Sequence, residues 1–192
     1  MEQDEGPYHL EGAPFRADLI EDRTGVPLQL TVALRWADST PVVGATVDVW
    51  HCDALGRYSG FSAPGPADSN AVPPDESVEH FLRGRQLTDH DGRCEFRTIY
   101  PGWYGGRTVH IHLIADLGDD RLTSQLFFPE SMSDDVLSHP PYAARPDRDT
   151  RNASDEIFAH RGNETVLTVA AAGDGYRASI CLELARRGVA KT

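Results

Sequence analysis

Hydrophobic and polar residues alternate with a period of two along most of this chain. Between 28 and 36, Leu28, Leu30, Val32, Leu34 and Trp36 are separated by Gln29, Thr31, Ala33 and Arg35, the pattern of a strand with one face buried. Similar strand-like runs occupy 45–50, 83–88, 93–99, 108–115, 122–128, 165–171 and 176–184. Between them lie turn signals such as Asp38-Ser39-Thr40-Pro41 and Asp89-His90-Asp91-Gly92, and an Ala-Gly-Asp-Gly turn precedes the last run. These residues favour tight turns or tolerate positive φ. No long helical periodicity competes, so the chain is expected to be all-β, an antiparallel sandwich or barrel.

Two stretches break the alternation. Residues 59–80 are rich in Pro, Ser and Gly, and residues 129–160 hold Pro140-Pro141, Pro146 and many charges. Loops of this length hang from strand ends, where sites tend to be built. No internal repeat or composition shift marks a second domain. The reading is one domain over 1–192, with 1–5 and 186–192 as tails.

Composition narrows the function. The 192 residues carry 18 Lys+Arg against 30 Asp+Glu, a net charge of −12, and Lys191 is the only lysine. Such a surface repels phosphate, which argues against nucleic acid and anionic membranes as partners. No apolar run reaches the length of a transmembrane helix. Three cysteines (Cys52, Cys94, Cys181) make no disulfide framework, and no CxxC pair suggests zinc. The opening MEQDEGPYHLEG has no basic-then-apolar leader pattern. A cytoplasmic protein is expected, or a secreted one if this chain is a processed form.

The sharpest candidate chemistry is His110-Ile111-His112. On a strand, residues i and i+2 share a face, so both imidazoles project together while Val109, Ile111 and Leu113 face the other way. Paired imidazoles either begin a metal site or are plain polar alternation. The apolar opposite face and Thr108 beside the histidines favour a cavity lining. The HxD/E pattern of a ferrous facial triad is absent. Upstream, Gly102 and Gly105 flank Trp103-Tyr104 and allow a sharp turn that brings the phenol back over the sheet. A second tyrosine, Tyr58, ends Gly56-Arg57-Tyr58 after the strand at 45–50. Each alone reads first as aromatic packing at a strand end. Together, two His and two Tyr would form a hard anionic set suited to Fe(III), because a strongly charged cation lowers the pKa of a bound phenol. A zinc hydrolase built on the histidines and a metal-free β-sandwich are the competing readings.

The motifs Trp50-His51-Cys52-Asp53-Ala54-Leu55-Gly56-Arg57-Tyr58-Ser59-Gly60, Tyr100-Pro101-Gly102-Trp103-Tyr104 and Arg107-Thr108-Val109-His110-Ile111-His112 resemble the intradiol ring-cleavage dioxygenases, in particular the protocatechuate 3,4-dioxygenase β-subunit type and its short extracellular relatives. Gly6-Pro7-Tyr8 and the run from Leu122 to Pro129 extend the likeness over most of 6–184. The resemblance implies a β-sandwich holding one mononuclear non-haem Fe(III) through Tyr58, Tyr104, His110 and His112, with a solvent hydroxide. It implies a small aromatic diol and O2 as substrates and a cis,cis-muconate type product. Tyr104 would take up a substrate proton, Arg107 would face the substrate as a local positive charge, and Gln125 matches the family's active-site glutamine. Tyr8, Trp50, His51, Trp103 and the 59–80 loop become candidate pocket walls, and His51 and Arg57 candidates to meet a substrate carboxylate. Two departures stand out. Only Gly105-Gly106 separates Tyr104 from Arg107, and there is no long N-terminal helical segment of the kind that serves as dimer interface in the catechol enzymes. A homo-oligomer therefore stays open, as does the choice of catechol.

Overall fold

The computed structural model describes residues 2–61 and 79–186; most of the proposed 59–80 loop lies outside the described residues. The alternating stretches become eight strands: β1 (Pro27–Arg35), β2 (Thr46–Trp50), β3 (Arg83–Leu87), β4 (Arg93–Ile99), β5 (His110–Leu117), β6 (Asp120–Phe127), β7 (Thr168–Ala172) and β8 (Gly175–Glu183). They form two four-stranded sheets, ordered β4-β1-β8-β7 and β3-β2-β5-β6. The protein is an all-β sandwich.

Alternation decides which side chains lie between the sheets. Leu28, Leu30, Val32 and Leu34 of β1, Phe96 of β4 and Leu182 of β8 share one continuous core with Val47 and Val49 of β2 and Ile111, Leu113 and Ala115 of β5. Burying one such aliphatic side chain contributes about 1.5–3 kcal/mol, so the register of β5 is set by its core face. The opposite face of the second sheet then necessarily carries His110 and His112.

Three details refine the expected fold. The sandwich is not wholly antiparallel: β1 pairs with β8 in parallel, from Leu28↔Tyr176 to Arg35↔Glu183. No tight turn links these two strands, so only side-chain matching sets their direction, and the parallel register places Leu30 beside Ala178 and Leu34 beside Leu182. The 129–160 stretch is not all loop. It contains α1 (Glu130–Leu137) and α2 (Glu156–Ala159). Within the stretch read as an N-terminal tail, Gln3 N–H donates to the Thr123 carbonyl at 2.8 Å. β6 is the last strand of its sheet, and the N-terminal segment satisfies part of its open edge. At the other end, Arg186 packs over the Trp36 ring, and 187–192 lie outside the described residues.

Candidate metal centre and catalytic site

His110 and His112 stand on the outer face of β5, both buried. Their Nε2 atoms are 3.0 Å apart. The Nδ1 of His110 is 2.6 Å from the Thr108 carbonyl. As donor there it leaves Nε2 as the lone-pair nitrogen. The Tyr104 hydroxyl lies 3.1 Å from that same Nε2. Tyr58 approaches from the other loop, its ring centroid 5.6 Å from that of Tyr104 and 6.1 Å from that of His112.

Local sequence explains how two loops deliver two phenols. Asp53 accepts at Oδ1 from the N–H groups of Leu55 and Arg57, each at 2.9 Å, an Asx-type turn that aims Tyr58 back at the sheet. Gly56 completes it at φ +81, where a Cβ would lie 2.2 Å from the Trp103 carbonyl. The Tyr58 and Tyr104 loops therefore interlock through a contact only glycine permits.

The donors fit a hard cation. Burial pushes both phenols up, with Tyr104 beside it adding to the rise at Tyr58. Burial pushes His110 and His112 down, reinforced by Arg107 at His110 and by His110 at His112. The histidines are thus neutral, with lone pairs a metal could use, and the phenols would ionise only against a strong positive charge. The Tyr58 hydroxyl is buried with no hydrogen-bond partner, a cost of about 1–3 kcal/mol that a bound ion would remove. Separations near 3 Å are those of neighbouring donors each about 2.1 Å from one ion.

Arg107 and Gln125 also meet here. Arg107 Nη2 donates to Gln125 Oε1 at 2.5 Å, and Gln125 sits opposite His112 in the β5–β6 register. Gln125 Nε2 donates to the Asp4 carbonyl at 2.8 Å. Both side chains line a cavity of about 430 Å³ with Gly6, Pro7, Thr150 and Ile157. The other partner of Arg107 carries no signal in a strand pattern. Asp155, 1% exposed, accepts at Oδ2 from Arg107 Nε at 2.9 Å and from Thr108 N–H at 2.8 Å. Its Oδ1 caps α2 by accepting from Phe158 N–H at 2.8 Å. Burial opposes ionisation of Asp155, but Arg107 and the two N–H groups outweigh it and hold the carboxyl below its usual range. The N-cap pattern Asp155-Glu156 is the one clue the sequence offered.

The candidate wall residues divide. Tyr8 stacks on Tyr58, centroids 4.3 Å apart, and Trp50 stacks on His112. His51 is a core residue and not a pocket wall: its ring nitrogens lie 2.8 Å from the Cys52 carbonyl and 2.7 Å from Thr98 Oγ1. His51 follows Trp50 directly, and adjacent residues of an extended chain point to opposite sides. Trp103 is likewise turned away from the cavity of Arg107. It joins the main core and lies beneath Arg145. Arg57 is exposed, and the Arg107 cavity does not include it. Sequence reading also missed Arg83, 1% exposed. Its Nε and Nη2 donate to Ser59 Oγ and carbonyl, and Nη1 to the Tyr8 carbonyl, at 2.7, 2.9 and 2.7 Å. Gly6 was quoted only as part of a motif. At φ +72 it lies so close that a Cβ would be 3.0 Å from His112 Cε1.

The dioxygenase family profile matches residues 4–147. Chlorocatechol 1,2-dioxygenase of Pseudomonas sp. (strain P51) is 36% identical over 103 residues, 52% of this chain and 36% of that one. The protocatechuate 3,4-dioxygenase beta chain of Burkholderia cepacia is 34% identical over 144 residues, 67% of this chain and 57% of that one. The chain thus spans about half the length of these two relatives or less. A solved structure, the intradiol ring-cleavage dioxygenase from Tetranychus urticae, matches with a TM-score of 0.89 at 32% identity, covering 98% of this chain and 96% of that one. Profile and full-length likeness agree on a dioxygenase of the β-sandwich class. The chain belongs to the intradiol ring-cleavage dioxygenase family.

Proposed function

We propose that this protein is an Fe(III)-dependent intradiol dioxygenase. It takes a catechol-type diol and O2 and opens the ring between the two hydroxyl-bearing carbons, giving a cis,cis-muconate type diacid that retains both oxygen atoms. The observation that carries this reading is the convergence of Tyr58, Tyr104, His110 and His112 on one buried point, with the Tyr58 hydroxyl unpartnered. A bound ferric ion would supply Lewis acidity and a template for the chelating diol.

The chain's own residues do the rest. Tyr104 Oη is positioned to hold a proton released by a diol hydroxyl. Arg107, oriented by Asp155 and Gln125, stabilises negative charge that develops on the ring as it is attacked, a preorganised electrostatic role. Gly6 approaches His112 and Tyr8 stacks on Tyr58, so the N-terminal segment packs against the site.

Ferric loading followed by catechol under an oxygen electrode tests the proposal. The expected result is burgundy protein, one O2 consumed per diol and a muconate product. Protein that stays colourless after ferric loading and consumes no O2 with any catechol overturns it.

A further inference from the structure

The cavity beside Arg107 has two acids, Asp4 and Glu156, in its lining against one cation. We infer that the site selects catechols whose ring substituent is neutral or cationic and rejects those bearing a carboxylate; this rests on the dioxygenase reading and names its substrate class.

The argument starts from where positive charge is available. Arg107 is the cation in the cavity lining, but its Nε is bound to buried Asp155 and its Nη2 to Gln125. With Nε and Nη2 both engaged, Arg107 has no bidentate fork left to clamp a carboxylate on a ring substituent. The remaining ionisable lining residues, Asp4 and Glu156, are both acids. A third acid, Asp149, accepts from the N–H of Gly106 at the rim.

The other cations near the site are engaged elsewhere or lie outside the lining: Arg57 is exposed and does not line the cavity. Arg83 lies against Tyr58, yet all three of its nitrogens are bound to oxygens of Ser59 and Tyr8. Both ring nitrogens of His51 are engaged away from the cavity. Residues 62–78 contain Asp68, Asp75 and Glu76 and no Lys, Arg or His, so that segment has no positive charge to offer.

A carboxylate leaving water needs a cation or several charge-assisted donors to offset its lost hydration. Here it would meet Asp4 and Glu156 instead. A neutral substituent avoids that repulsion, and an ammonium substituent gains from it.

The test uses three catechols of similar size whose charge is insulated from the ring: 3-(3,4-dihydroxyphenyl)propanoate, its primary amide, and dopamine. At low salt, kcat/KM for the amide and for dopamine should exceed that for the acid by about tenfold, the scale of one or two exposed charges within a Debye length. Salt at roughly 0.5 M should shrink the gap to a few-fold, and the double variant Asp4→Asn/Glu156→Gln should raise the acid relative to the amide. An acid turned over as well as its amide overturns the inference. So does a gap that neither salt nor the double variant moves, because shape would then be the filter. Affinities under argon, read from quenching of tryptophan fluorescence, rank the three ligands without turnover. Protein that cleaves none of them loses the dioxygenase reading, while that ranking still decides the charge preference.

Discussion

The indole of Trp50 lies flat against the imidazole of His112, ring centroids 4.9 Å apart and planes 4° apart. The two residues face each other directly in the β2–β5 register, so pairing of the strands positions the stack. His9 packs against the same indole at 4.6 Å. Trp50→Ala should cost about 3–5 kcal/mol of stability, read from the urea midpoint, and lower ferric affinity by freeing the His112 ring. Trp50→Phe keeps a stacking face and removes an indole N–H that has no partner; it should lose far less of both. Unchanged midpoints in the alanine variant would refute the role given to the stack.

Tyr58→Phe separates a ligand from a packing residue. The buried hydroxyl makes no hydrogen bond, so its removal should leave the metal-free protein as stable as before, or more stable by about 1 kcal/mol. Ferric binding and its colour should be lost. A variant that binds iron like the parent would remove Tyr58 from the ligand set.

Arg83 ties the N-terminal segment to the Tyr58 loop through the Tyr8 carbonyl and both oxygens of Ser59. A lysine keeps the charge but lacks the fork that reaches all three acceptors. Arg83→Lys should therefore cost about 2–3 kcal/mol and shift the tyrosinate charge-transfer band of the ferric protein, as Tyr8 loosens from Tyr58. Calorimetry and absorption spectra check the two effects separately.

Acid should destabilise the protein through its buried histidines. Burial pushes His51 down to about 4 from 6.5, so the unfolded chain takes up a proton at a pH where the folded one does not. That contribution is intact above pH 6.5 and is lost as pH falls toward 4, at most about 3 kcal/mol. His110 and His112 act in the same direction in the metal-free protein. His51→Gln should flatten urea midpoints against pH across this window by about one proton's share, and an unaltered slope would contradict it.

Much of this molecule is readable in its alternation because a strand announces itself by parity. All eight strands were legible, as was the shared face of His110 and His112, since both follow from burying Ile111 and its neighbours. Strand direction is not encoded by parity, which is why the parallel β1–β8 pair was missed. α1 buries only Ser133 and Val136, too few positions to write a helical stripe. Asp155 reaches Arg107 from 48 residues away, and Arg83 sits in a short strand whose neighbours are also arginine and glycine. Side chains flanking a motif were the least legible. His51 and Trp103 adjoin site residues in sequence but point away from the cavity: alternation alone turns His51 away from Trp50, and Trp103 lies in a loop where parity says nothing.

The two halves of the donor set answer differently to change. The histidines share a register with the core, so a single inserted residue in β5 would turn Ile111 outward and the imidazoles inward, ending fold and chemistry together. The tyrosines ride on loops held by Asp53 and a few glycines, and a phenylalanine at either position leaves the sandwich standing. A lineage drifting away from catalysis would thus shed its phenols first, and a descendant with intact histidines but no tyrosines would be a folded protein that has kept only the part of its site its core cannot release.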